Sequence, residues 1–122
     1  MKRCMIVDDS SVIRKVAKRI LGGEELLVIE AASGYDALSM CSEEMPHVIV
    51  LDAGLPDITT VEFIQRACGL AGAVKPHILL CITEFDIGAI MRAKRAGAVG
   101  YLFKPFTRPQ LLEHFRALPT AA

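Results

Sequence analysis

The chain reads as an α/β fold: a doubly wound parallel sheet of five strands, each followed by a helix. Three observations predict this. Five short apolar runs lack the alternation of a half-exposed strand and suit strands covered on both faces. The segments between them carry apolar residues at helical period. Strict alternation of strand and helix implies parallel strands joined by right-handed crossovers, with helices on both faces. At 122 residues, with no repeat, low-complexity run or linker, one domain over residues 1–122 is expected.

The first strand is Cys4-Met5-Ile6-Val7, which stops at Asp8 and Asp9. Ser10 or Ser11 can cap the helix that follows, whose expected buried stripe is Val12, Ile13, Val16, Ala17, Ile20 and Leu21. Gly22-Gly23 should end it. Leu26 to Ala31 is the second strand, placed near an edge because Glu30 interrupts it. Ser33-Gly34 opens the second helix, with Ala37, Leu38 and Cys41 inward, and Pro46 closes the segment. Val48 to Leu51 is the third strand and stops at Asp52. Leu55-Pro56-Asp57 makes a loop. Thr59 with Glu62 is a capping box for the third helix.

Gly69, Gly72 and Pro76 bracket the next connection, and the fourth strand, Ile78 to Ile82, stops at Thr83. Asp86 can cap the fourth helix and Gly97 can terminate it. Tyr101-Leu102-Phe103 is the fifth strand and stops at Lys104-Pro105. Thr107 and Gln110 form a second capping box, before a stripe of Leu111, Leu112, Phe115 and Leu118.

Composition narrows the function classes. Lys plus Arg and Asp plus Glu balance at 14 each, so no net charge draws the chain to nucleic acid or anionic lipid. Apolar runs are strand-length, far short of a membrane span, and the basic start runs straight into Asp8-Asp9, unlike a signal peptide. Cys4, Cys41, Cys68 and Cys81 fit neither a zinc pattern nor C-x-x-C. They read as reduced thiols of a cytoplasmic protein. His47, His77 and His114 share no ligand spacing.

If the strands are parallel, their C-terminal ends share one sheet edge, where open α/β sheets bind ligands. Asp8, Asp9, Asp52, Thr83 and Lys104 would then meet in one crevice. Adjacent carboxylates repel unless a cation joins them, and Mg2+ favours one or two carboxylates with waters and phosphate oxygens. An acidic pair before a helix can also simply favour its dipole. Asp52 can be a metal ligand, a turn former, or a nucleophile that attacks phosphorus to give an acyl phosphate. Thr83 can end its strand or bind a phosphoryl oxygen. Lys104 can be a solvated charge, or can pair with Asp52 or a phosphoryl group. Phosphoryl transfer chiefly needs positioning and charge neutralisation, which a metal, a hydroxyl and an ammonium supply together.

Val7-Asp8-Asp9-Ser10, Asp52 followed by Leu55-Pro56, Thr83, Gly97-Ala98 before Gly100-Tyr101, and Lys104-Pro105-Phe106 occur in this order across the chain. In these motifs and their spacing the chain resembles the receiver domain of bacterial response regulators, in its single-domain CheY-like form. The resemblance implies a flavodoxin-like sheet of strand order 2-1-3-4-5. It implies Asp52 as phosphoacceptor, and Mg2+ held directly by Asp9 and Asp52, by Asp8 largely through water, and by the Gly54 backbone carbonyl. It further implies Thr83 and Lys104 as phosphoryl-binding groups, Tyr101 as an aromatic switch, and a cis Lys104-Pro105 bond.

A histidine kinase or histidine phosphotransfer protein would be the donor, and an unidentified downstream protein the target. The output face would be the surface of helix 4, strand 5 and helix 5, basic through Arg92, Lys94 and Arg95. Arg14, Lys15, Lys18 and Arg19 on helix 1 read as a solvated face bordering the donor's docking surface. No DNA-binding domain, membrane insertion or catalysis beyond the chain's own phosphorylation and dephosphorylation is expected.

Two positions depart from the family pattern. Glu84 stands after Thr83, where a very small residue is usual, and Thr59-Thr60 stand where an Asp or Asn followed by Gly is usual. Without glycine that loop should avoid positive φ and take its own path. The alternative reading is a degenerate receiver that binds protein or nucleotide without phosphate. An aspartyl phosphatase would want an acid where Gly54 stands, and no G-x-G-x-x-G follows the first strand for a dinucleotide.

Overall fold

The structure, a computed structural model, describes residues 2–23, 26–72 and 75–117, and within them all side chains except those of 111 and 114–117. Ten elements alternate: β1 (Lys2–Val7), α1 (Ser11–Leu21), β2 (Leu26–Ala31), α2 (Gly34–Glu43), β3 (Val48–Asp52), α3 (Thr60–Leu70), β4 (His77–Ile82), α4 (Ile87–Ala96), β5 (Gly100–Phe103) and α5 (Arg108–Ala117). The five strands form one parallel sheet in the order β2-β1-β3-β4-β5. Among the described residues no helix is long and apolar enough to cross a membrane.

Period-2 alternation along each strand feeds two cores, one on each face of the sheet. Met5, Val7, Ile49, Leu51, Ile78, Leu80 and Ile82 pack under α2, α3 and α4, around the fully buried Phe63 and Ile64. Cys4, Ile6, Val48, Val50, Leu79, Cys81 and Leu102 pack under α1, with Phe106 and Leu112 beside them. The central strands are therefore apolar on both faces over residues 4–7, 48–51 and 78–82, and β2 is an edge strand, as Glu30 implied.

Most expected caps form. Ser10 accepts from the Ile13 N–H at 3.3 Å, Ser33 from Asp36 at 3.1 Å, and Asp86 from Ala89 at 3.1 Å. The box at the start of α5 closes in both directions, between Thr107 and Gln110 at 3.0 and 3.4 Å. At α3 only half the box forms: Thr59 accepts from the Glu62 N–H at 3.2 Å, while the Glu62 carboxylate turns to Arg66 at 3.1 Å. Thr59 is extended at φ −74, and among the described residues no non-glycine residue has positive φ. The loop thus takes a path open to threonine. Gly97 ends α4 at φ 135, where a Cβ would also press on Cys68 Sγ at 3.1 Å.

Three expectations need correction. Val12 and Val16 are not buried; they are 68% and 40% exposed, while Ala17 and Leu21 are buried and Ile13 and Ile20 half-buried. At 100° per residue, positions 13, 17, 20 and 21 share one stripe and 12 and 16 lie on its flank. Arg14 is not a solvated charge; its side chain is 15% exposed and ion-paired. Asp57 does more than shape a loop: its carboxylate accepts from the N–H groups of Gly34 at 3.1 Å and Tyr35 at 2.9 Å, capping α2 from 22 to 23 residues away. Of the expected α5 stripe, Leu112 packs on the core; Leu111, Phe115 and Leu118 lie outside the described side chains, as does His114.

Candidate functional site

The strand registers assemble the site. Val7 pairs with Leu51, so Asp8 follows β1 beside Asp52 at the end of β3. Ile82 pairs with Phe103, so Thr83 leaves β4 beside Lys104 leaving β5. Strand order and parallel direction therefore suffice to bring together residues from four segments. The Lys104-Pro105 bond is cis, the isomer expected there.

Lys104 Nζ donates to Asp52 Oδ1 at 2.8 Å and to Asp8 Oδ2 at 3.0 Å. Asp8 and Asp52 are 3% and 8% exposed, the two buried acids of the described core, and the Lys104 side chain is nearly as sheltered. Burial works against the charged ammonium. The hydrogen bonds to Asp52 and Asp8 outweigh it and hold the Lys104 pKa above the ordinary lysine value. Asp8 is fully engaged: Oδ1 accepts from the Ser10 N–H at 2.9 Å, and its own N–H donates to the Ala31 carbonyl at 3.2 Å.

Asp9 is exposed, unlike its neighbour, yet a carboxylate oxygen from each of Asp8, Asp9 and Asp52 lies within 4.8 Å of the others. This donor set is oxygen only and carries three negative charges, which fits a hard divalent cation such as Mg2+ or Ca2+ and not a thiolate- or imidazole-seeking metal. Lys104 supplies one positive charge to that set. Gly54 lies in the turn directly after β3 and is exposed.

A cleft of about 820 Å3 opens beside Asp52, lined also by Gly54, Thr83, Glu84 and Lys104 among others. Thr83 is exposed and so available to a bound group. Glu84 is on the same wall, so the mouth carries a long acidic side chain at the position that departs from the receiver pattern. Phe85 and Ile87 continue the wall and are 61% and 58% exposed. Tyr101 is half-buried against the α2–α4 side of the sheet, its ring meeting Phe103 edge-on at 5.9 Å. Arg92, Lys94 and Arg95 are exposed on α4.

Sequence reasoning missed two residues around this site. Arg14 Nη1 donates to the Asp8 carbonyl at 2.7 Å, and its Nε to Glu30 Oε1 at 3.2 Å. The available signal was charge position: a cation in the first turns of a helix opposes the macrodipole and calls for a partner. Lys15, then Arg14, hold the Glu30 carboxyl below its usual range against the opposing effect of burial.

Residues 4–116 match the family model described as the response regulator receiver domain. The chain is 31% identical over 121 residues to a chemotaxis protein CheY of Halobacterium salinarum, covering 98% of each. Among solved structures it is similar to the Vibrio cholerae chemotaxis protein CheY4, with a TM-score of 0.86, 30% identity, and coverage of 98% of this chain and 99% of that one. It is also similar, at TM-score 0.81 and 25% identity, to a Burkholderia pseudomallei response regulator with a phosphorylated aspartic acid, calcium ion and citrate; the match covers 92% of this chain and 65% of that one.

Proposed function

The chain belongs to the response regulator receiver family, and from that premise we propose that it is a phospho-accepting signalling switch with Asp52 as acceptor. The observation that carries this reading is the convergence of Lys104 on Asp8 and Asp52 beside the third acid, Asp9. A phospho-histidine of a kinase or phosphotransfer protein is the donor. A carboxylate oxygen of Asp52 forms the new O–P bond as the N–P bond breaks, and the imidazole leaves with the electron pair. The similar Burkholderia pseudomallei protein is described with a phosphorylated aspartic acid and a calcium ion, which supports both the acceptor type and a divalent cation.

Asp9, Asp52 and the Gly54 carbonyl would hold Mg2+ directly and Asp8 largely through water, supplying charge neutralisation for the phosphoryl oxygens. Lys104 and the Thr83 hydroxyl hold the phosphoryl oxygens from the other side of the cleft. Once Asp52 carries the phosphoryl group, Lys104 and Thr83 are drawn to new charge and Tyr101 turns inward. That changes the face of α4, β5 and α5, where a partner protein binds. The switch is a shift between two states biased by phosphate. The protein works in the cytoplasm, and its only catalysis is on itself.

Glu84 on the cleft wall favours a second reading, a degenerate receiver that binds partners without phosphate. Incubation with acetyl phosphate and Mg2+, followed by intact mass measurement, separates the two. A mass gain of one phosphoryl group, absent in Asp52→Asn, is expected. No gain under conditions that label the similar CheY proteins would replace the switch with the degenerate reading.

A further inference from the structure

We propose that Arg14 and Glu30 form a brace that positions the Asp8-Asp9 pair for cation binding, which makes Arg14 a positioning residue of the site. The inference rests on the reading of that pair as a cation site. Arg14 spans two elements with one guanidinium, donating through Nη1 to the Asp8 carbonyl and through Nε to Glu30 on β2. The side chains of Arg14 and Glu30 are 15% and 17% exposed, against 67% for Lys15, which also reaches Glu30 at 2.9 Å. Lys18 stands 4.0 Å from the same carboxylate and is 56% exposed. The Arg14–Glu30 pair is thus the sheltered member of the group, and the two lysines are its solvated rim.

The carbonyl that Arg14 holds belongs to the peptide unit joining Asp8 to Asp9. That unit is planar, so anchoring its oxygen sets the plane from which Asp9 departs. Neighbouring residues of β2 grip Asp8 from both sides: Ala31 takes its N–H directly, and Glu30 reaches its carbonyl through Arg14. The Asp8 side chain is committed to Ser10 and Lys104. No comparable contact holds the exposed Asp9 carboxylate among the described residues, so its aim depends on the backbone that carries it. The guanidinium reaches Glu30 and the carbonyl from two separate nitrogens held in one plane, whereas a lysine would have to make both bonds from a single nitrogen.

Coulomb attraction and positioning predict opposite signs, which makes the test sharp. Arg14→Gln removes a positive charge near the acids, so charge alone predicts tighter Mg2+ binding. Loss of the brace predicts weaker binding, on the order of tenfold in Kd as for other groups that orient metal ligands. Mg2+ titration by calorimetry on the wild type, Arg14→Gln, Arg14→Lys, Glu30→Gln, the Arg14→Gln/Glu30→Gln double variant and Asp9→Asn reads this out.

The expected result is weaker binding in both Arg14 variants and in Glu30→Gln, with the double variant no weaker than its worse single, because the pair acts as a unit. A Lys15→Gln/Lys18→Gln control should bind as wild type does. Wild-type binding that Asp9→Asn abolishes, with Arg14→Gln and Arg14→Lys at or tighter than wild type, overturns the brace and leaves the cation site standing. Failure of the wild type to bind Mg2+ overturns both. If Arg14→Gln does not fold, Arg14→Lys and Glu30→Gln decide the question alone.

Discussion

Replacing Lys104 with methionine leaves the acids of Asp8 and Asp52 buried side by side without their counter-charge. At 2.8 and 3.0 Å, and an effective dielectric of about 20, each contact is worth roughly 6 kcal/mol gross. Desolvation of the ammonium offsets much of this. Breaking a buried pair by removing one partner nets about 3–5 kcal/mol, and water entering from the open cleft reduces that to roughly 2–4 kcal/mol. With a urea slope of about 1–3 kcal/mol/M, the unfolding midpoint in EDTA should fall by roughly 1–3 M.

Mg2+ should reverse much of this loss, since a cation at 100 times its Kd stabilises by about 2.7 kcal/mol. The variant should also bind Mg2+ more tightly than the wild type, because no ammonium competes. The pH dependence has a definite sign. The folded-state pKa of Lys104 is raised, so its contribution is complete below the ordinary lysine value near 10.4 and is lost as pH rises through the folded value. The gap between wild type and variant should close at strongly alkaline pH. Equal urea midpoints in EDTA at neutral pH would refute the view that Lys104 is the counter-charge of the two acids.

A Cβ at Gly34 would collide with Ile58 Cγ2, so Gly34→Ala should cost about 1–3 kcal/mol by overpacking, read in a urea titration. Asp57→Ala removes the remote cap of α2 and should lower Tm by a few degrees at neutral pH. Tyr35, then Gly34, hold the Asp57 pKa down, so that stability is present above the unfolded value near 3.9 and is lost as pH falls through the folded one; the Tm difference should vanish in acid. Burial pushes the thiols of Cys4 and Cys81 up to about 12 and that of Cys41 up to about 11. Iodoacetamide on the native protein should therefore modify the half-buried Cys68 first, as peptide mapping would report.

Much of this architecture could be read from local signals. Apolar runs marked the strands, Ser10, Asp86 and Gly97 marked helix ends, and the polar residues that stop four runs marked the site. These signals suffice because a parallel sheet converts position in a strand into position along an edge. What escaped was carried by partners distant in sequence. Arg14 looked like a surface charge because Glu30 is 16 residues away and the Asp8 carbonyl is main chain. Asp57 looked like a turn residue because the N–H groups it caps belong to another helix. Val12 and Val16 were misplaced because a helical stripe read from hydrophobicity alone is wider than the strip the sheet covers.

The ammonium that meets Asp8 and Asp52 comes from 96 and 52 residues further along the chain. During synthesis the two acids are therefore translated long before their counter-ion leaves the ribosome. An incomplete product lacks Lys104, so its Asp8 and Asp52 meet water or another cation in place of that ammonium. Docking of β5 thus both completes the sheet and brings the two buried acids their shared ammonium.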